Sequence, residues 1–400
     1  MIKNSPAQRS PNTLVAFFTA TRFVINSAYR LAYAMQPLLA VGMGVRLNEL
    51  AVALSIRSLL GSFAPFLAIF ADTHGRKKGM TLGLVLFVLG VGITSILQNF
   101  IGFVIGASLV VVGNGVFIPS MQAYLSDRVP FEERGRVLSI IEMSWSFAFI
   151  FGAPALGLLL TKINWVAPHI VLTIVGLVLL VVFWKFVPED HEPLVKQPLM
   201  QNLGLVFRTA PVVAGVIAST SFICANELVN IVFGEWIKDS FGLAFATLTI
   251  AAIVIGGSEL GSEFLAALVL DRIGKQKAMT IGLLVNALVV ILMPLTKNSL
   301  PLALTALGLF FVSFEFTFLS LITQMSEVFP IARATVMAVL VATFSLGRVF
   351  GSLMGASFYQ ISFWVTCIGA VALDLLAIWL VQRIKIKDPT GISDRVSLLN

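Results

Sequence analysis

A few ionisable side chains interrupt the long apolar runs of this 400-residue chain, and they are the residues able to do chemistry. Arg22, Asn26, Arg30 and Tyr33 recur at helical spacing and so share one face. Arg57 and Arg348 stand in two further runs, and Glu142, Glu227, Glu259, Glu263, Glu315 and Asp374 in others. A charge at the centre of a bilayer costs roughly 2.5–3.5 kcal/mol or more, so each must face a cavity or a partner. Guanidinium groups bind carboxylate or phosphate through paired hydrogen bonds. Arg30, Arg57 and Arg348, together with Asn26, Tyr33, Asn226 and Asn230, are therefore candidate ligands for a small-molecule substrate, and the arginines suit an organic anion. Each arginine could instead pair with a buried acid and never meet a solute. Burial disfavours the charged form of a carboxylate, which suits it to take up and release a proton. Glu227, Glu315 and Glu259 are the candidate proton carriers. Glu263 sits near a helix end and suits a structural partner of nearby loops, and Glu142 reads as structural or gating.

Positioning such groups requires membrane helices. The chain is 58% hydrophobic and only 12% charged, with mean hydropathy +0.96, which excludes an ordinary soluble domain. Runs of roughly 20 apolar residues are long enough to span a bilayer. Twelve are expected, over 14–40, 50–70, 79–98, 101–125, 137–160, 165–187, 209–237, 244–270, 278–296, 300–325, 334–358 and 361–382. The longest polar interval begins at Pro188-Glu189-Asp190-His191-Glu192-Pro193 and divides the chain. It predicts a first six-helix half over 1–187, a cytoplasmic linker over 188–208 and a second half over 209–400. No removable signal peptide is expected, because Met1 to Pro11 is polar and the first apolar run is too long for one.

Lysine and arginine placement orients the spans. With both termini cytoplasmic, the inner segments hold nineteen of the 27 basic residues, and the outer loops hold only Arg46, Lys162, Lys238 and Lys297. A pI near 9.6 therefore reflects membrane topology, and no nucleic-acid partner is expected. Cys224 and Cys367 lie in apolar runs, which argues against a disulfide framework. His74, His169 and His191 are scattered, so no metal site is expected. No phosphate-cradling Gly-x-x-x-x-Gly-Lys-Ser/Thr segment occurs, so no nucleotide hydrolysis, cofactor or enzymatic activity is expected.

The two halves repeat one another. Asp72-Thr73-His74-Gly75-Arg76-Lys77-Lys78 follows one apolar run, and Asp271-Arg272-Ile273-Gly274-Lys275-Gln276-Lys277 follows another, 199 positions later. Span 4 ends in Ser126-Asp127-Arg128-Val129-Pro130 and span 10 in Ser326-Glu327-Val328-Phe329-Pro330, each with an acid, a proline and then an arginine. Asn26 in span 1 has a counterpart in Asn226 of span 7. A repeat on this scale among apolar spans points to a transporter built from two related halves.

At these loops the chain resembles the major facilitator superfamily, whose signature between helices 2 and 3 is Gly-x-x-x-Asp-Arg-x-Gly-Arg-Arg/Lys. Ala68 replaces the first glycine and Thr73 the arginine, and the second copy has Ala267, Lys275 and Gln276. The resemblance implies an all-α membrane protein of twelve helices in two pseudo-symmetric halves, multi-pass in a bacterial inner (plasma) membrane. It implies a gating cluster of Asp72, Gly75 and Arg76 with Asp127, and Asp271 in the second copy. Asp72 is expected to face the start of span 11 near Ala334. Ala153-Pro154-Ala155-Leu156-Gly157-Leu158 is similar to part of the antiporter segment Gly-Pro-x-x-Gly-Gly in helix 5. Span 4, at Gly106-Ala107-Ser108-Leu109, lacks the arginine typical of proton-coupled drug exporters.

The function expected is a monomeric, proton-coupled secondary transporter that moves a small organic solute by alternating access, with efflux favoured. An organic-anion importer or uniporter is the alternative. A non-transporting membrane sensor or lipid-handling protein is the rival of another class.

Overall fold

The computed structural model describes residues 11–63, 75–126, 128–189, 204, 206–242, 244–329 and 333–384. Every regular element among them is helical. This follows from the solvent: in hydrocarbon each backbone N–H and C=O must be satisfied within its own segment. Ten helices are long and apolar enough to cross a membrane. The fold also includes α1 (Pro11–Ala34), interrupted by Arg22 and Arg30, and α3 (Leu47–Gly61), which together complete the twelve-helix plan.

Several expected spans are broken helices. Span 1 is α1 followed, after Met35, by α2 (Gln36–Met43), where Pro37 opens the new helix and Gly44, at φ 68°, closes it. Spans 3 and 4 are α4 (Arg76–Leu97) and α5 (Phe100–Ser126). Span 5 is α6 (Phe131–Phe147) and α7 (Ala153–Lys162), joined by a π turn over Ala148–Gly152. Span 6 is α8 (Ala167–Phe186). Span 7 is α9 (Ala210–Asn230) and a short α10 (Phe233–Phe241). The remaining spans are α11 (Phe245–Ile273), α12 (Lys275–Leu292), α13 (Leu300–Val328), α14 (Arg333–Ile361) and α15 (Phe363–Val381).

One end of the bundle, the basic face, carries Arg76, Lys77, Arg128, Lys185 and Lys275. Here Lys275 of α12 pairs with Glu327 at the end of α13. At the opposite end the two halves touch: Gly234 packs on Pro37 of α2, and Gly157 lies against Phe245. Most of the expected linker, 188–208, lies outside the described residues.

Close helix packing occurs in both halves: in the first, Gly83 and Gly90 of α4 lie against Gly113 and Gly106 of α5. Along α14, Gly347, Gly351 and Gly355 fall every fourth residue and press on Ile223, Glu227 and Leu228 of α9. A Cβ at Gly351 would stand 2.5 Å from the Cβ of Glu227, so only glycine lets the two helices approach this closely.

Candidate functional site

Arg30 of α1 and Glu259 of α11 meet across the surface between the halves. Nη2 of Arg30 donates to both carboxylate oxygens of Glu259, at 2.7 and 2.6 Å. Their side chains are only 6% and 2% exposed. The guanidinium also lies 3.7 Å from the ring centroid of Trp145 and 4.0 Å from that of Phe149. Those rings are four residues apart, at the junction of α6 with the π turn. Gly256 brings α11 onto that turn, since a Cβ there would meet the Ser146 carbonyl oxygen at 2.7 Å. One turn further along α11, Glu259 then reaches Arg30. Arg30 is thus engaged in an internal pair.

Glu227 occupies a second node. Tyr33 of α1 donates its hydroxyl to Oε1 at 3.0 Å, and Ser352 of α14 donates to the same oxygen at 2.8 Å. Asn230 donates to Oε2 at 3.2 Å. Three neutral donors thus hold a carboxylate that is 1% exposed. Only Tyr33 reaches it from the other half.

Two arginines border this node. Arg57 of α3 is buried, 4.2 Å from the Tyr29 ring centroid and 5.1 Å from that of Tyr33. Its Nε and Nη2 have no hydrogen-bond partner among the described residues. Arg348 of α14 is half-buried and also makes no hydrogen bond or ion pair among them. The ionisable groups bearing most strongly on it are Tyr29, Tyr33, Glu227 and Glu315.

Nearer the basic face lies a group of acids. Glu315 of α13 is buried and makes neither hydrogen bond nor ion pair among the described residues, with Glu259, Glu263 and Arg30 its foremost ionisable neighbours. Glu142 accepts from Arg22 at 2.6 Å and from Gln122 at 3.3 Å, and keeps 43% exposure. Asn26 donates to Ser144 at 3.2 Å, while Nδ2 of its repeat counterpart Asn226 finds no partner among the described residues. The intramembrane positions therefore form two zones: Tyr33, Arg57, Glu227, Asn230 and Arg348 in one, Arg30, Glu259 and Glu315 in the other. Asp374, on α15, belongs to neither and is buried with both oxygens unpartnered among the described residues.

Of the expected gating residues, Asp72 and Asp127 lie outside the described residues, as does the side chain of Asp271. Gly75 and Gly274, the repeated glycines, share one conformation, at φ 103° and 83°. Both cap the helix that follows, in backbone that favours glycine. Arg76 donates to the Ala123 carbonyl oxygen at 2.6 Å, near the end of α5.

Sequence reasoning missed Trp145, Phe149, Tyr29 and Ser352. The Gly347/Gly351/Gly355 spacing was the available signal for Ser352, because it marks the close helix face beside which that hydroxyl stands.

The Major Facilitator Superfamily model matches residues 14–314 and 215–395. An uncharacterized MFS-type transporter of Bacillus subtilis, YwfA, is 26% identical over 369 residues, covering 86% of this chain and 85% of that protein. Among solved structures, a D-xylose–proton symporter superposes with TM-score 0.76 at 18% identity, covering 94% of this chain and 99% of that one. A bacterial homologue of the human lysosomal transporter Spinster, inward-facing and unoccupied, gives TM-score 0.72 at 15% identity, covering 95% of each chain. At these identities the structural likeness establishes the fold.

Proposed function

The chain belongs to the major facilitator superfamily, and from that premise we propose a proton-coupled secondary transporter that moves a small organic solute through the space between its halves. Both termini and the basic face lie on the cytoplasmic side, following the bias of lysine and arginine. The observation that carries the proposal is the buried charge between the halves. Arg30 and Glu259 pair across it, while Arg348 and Glu315 are ionisable side chains with no ion pair among the described residues. A static membrane scaffold gains nothing from such groups, because each costs free energy in a bilayer.

The roles follow from the partners. Arg348, half-buried and unpaired, holds an anionic or hydrogen-bond-accepting group of the solute, with Tyr29 and Tyr33 beside it. Glu315 exchanges the proton, since no donor competes for its oxygens. Arg30–Glu259 and Tyr33–Glu227 tie the halves together and must part when the opposite end opens. The partial antiporter segment at Ala153–Leu158 favours efflux, and the protein works as a monomer. The unpaired Arg348 favours a second reading, uniport or import of an organic anion.

Counterflow in proteoliposomes, with and without an imposed pH gradient, tests the proposal. Solute exchange that a pH gradient drives uphill is expected. Exchange indifferent to the gradient favours the uniporter, and no exchange across a panel of anionic and neutral solutes leaves the sensor.

A further inference from the structure

A small cavity, with room for little more than one water-sized species, lies within the first half. It is bounded by α1, α3, α4, α5 and α8. Ala28, Ala32, Val91, Phe103 and Val110 make most of its wall apolar, and Arg57 brings the charge. Two other polar residues of the lining are already engaged. The Thr94 hydroxyl lies within hydrogen-bond distance of the carbonyls of Gly90 and Gly102, and Nδ1 of His169 is 3.3 Å from the Trp165 carbonyl oxygen.

Arg57 is 1% exposed, and its Nε and Nη2 have no partner among the described residues. The other intramembrane arginines are placed differently. Arg22 and Arg30 each have a carboxylate, and Arg348 is half-buried. Stacking on Tyr29 and Tyr33 offsets part of the desolvation of Arg57, but a ring face supplies no counter-charge. Arg57 makes no ion pair among the described residues.

We propose that this cavity is a resident site for a small monatomic anion, chloride or bromide, held by Arg57. The lining selects that chemistry. A phosphate or carboxylate needs several hydrogen-bond donors around its oxygens and more room, whereas a halide is small enough for a mostly apolar cavity in which one guanidinium supplies the charge. The anion balances Arg57 and steadies the Tyr29–Tyr33 face of the central site. It is no part of the transported solute, so the inference stands or falls independently of which solute moves.

The test uses the full-length purified protein in detergent micelles. Thermal unfolding is followed in NaCl, NaBr and sodium gluconate at equal ionic strength. Chloride and bromide are expected to raise the midpoint saturably, and gluconate, too large for the cavity, is expected not to. Arg57→Gln removes the charge, and Ala107→Leu fills the wall of the cavity while keeping the charge. Both are expected to abolish the halide response, with size-exclusion elution showing the fold. Equal midpoints for wild type in all three salts would overturn the proposal. So would a halide response that persists in either variant. If Arg57→Gln does not fold, Ala107→Leu decides alone.

Discussion

Glu227 and Glu315 are both buried acids facing the space between the halves, yet their surroundings differ completely. Glu227 accepts from Tyr33, Ser352 and Asn230. Glu315 accepts from nothing among the described residues, and its main electrostatic influences are Glu259, Glu263 and Arg30. A carboxylate caged by three donors is committed to its geometry, because exchanging its proton rearranges every partner. One without donors changes protonation at little structural cost. Burial alone therefore does not mark a proton carrier; the partner set does.

Glu259→Gln, in the same zone as Glu315, should have the largest effect. It leaves Arg30 buried without a carboxylate, a loss of about 3–5 kcal/mol for one partner of a buried pair. Thermal unfolding should fall sharply and transport should vanish. Restoring stability by also changing Arg30 to Gln would locate the loss in the uncompensated charge. Stability unchanged in Glu259→Gln alone would mean that the pair is dispensable.

Glu315→Gln sharpens the comparison directly. It should abolish uphill, gradient-driven transport while sparing solute-for-solute exchange and thermal stability. Glu227→Gln, assayed beside it, should retain gradient-driven accumulation. The reverse pattern would make Glu227 the carrier and break the contrast.

Arg348→Ala should weaken binding of an anionic solute by roughly 10- to 100-fold, since a hydrogen bond to a charged group contributes about 1.5–3 kcal/mol. Neutral analogues should lose far less. Equal losses for both, measured by ligand-induced thermal shift, would remove Arg348 from the solute site. The smallest change belongs to Ser352→Ala. It deletes one of three donors to Glu227 and should cost about 1 kcal/mol of stability with coupling intact. Altered coupling there would show that the cage itself takes part in proton exchange.

Much of the fold was legible because the bilayer imposes its length on every apolar run. The repeat was legible too: two loops matched by eye hold Gly75 and Gly274 in the same left-handed region. The helix breaks at Met35 and after Asn230 were not, because hydropathy averages over a turn and does not register a change of direction. Partner choice was also hidden. Arg30 and Glu259 are 229 positions apart, and any of several acids could have taken that arginine. Which one does depends on Gly256 drawing α11 onto the π turn. Asp72 and Asp127, the strongest part of the family resemblance, lie outside the described residues.

The glycine ridge along α14 decides which contacts stay together as well as how closely they fit. Because Gly347, Gly351 and Gly355 lock α14 to α9, Glu227, Ser352 and Asn230 travel as one rigid body. When the halves part, that node gives up a single neutral hydrogen bond, from Tyr33. Breaking it presents only a small barrier. The costlier contact between the halves is the buried pair of Arg30 with Glu259, on α1 and α11, while the α9–α14 body keeps its own contacts.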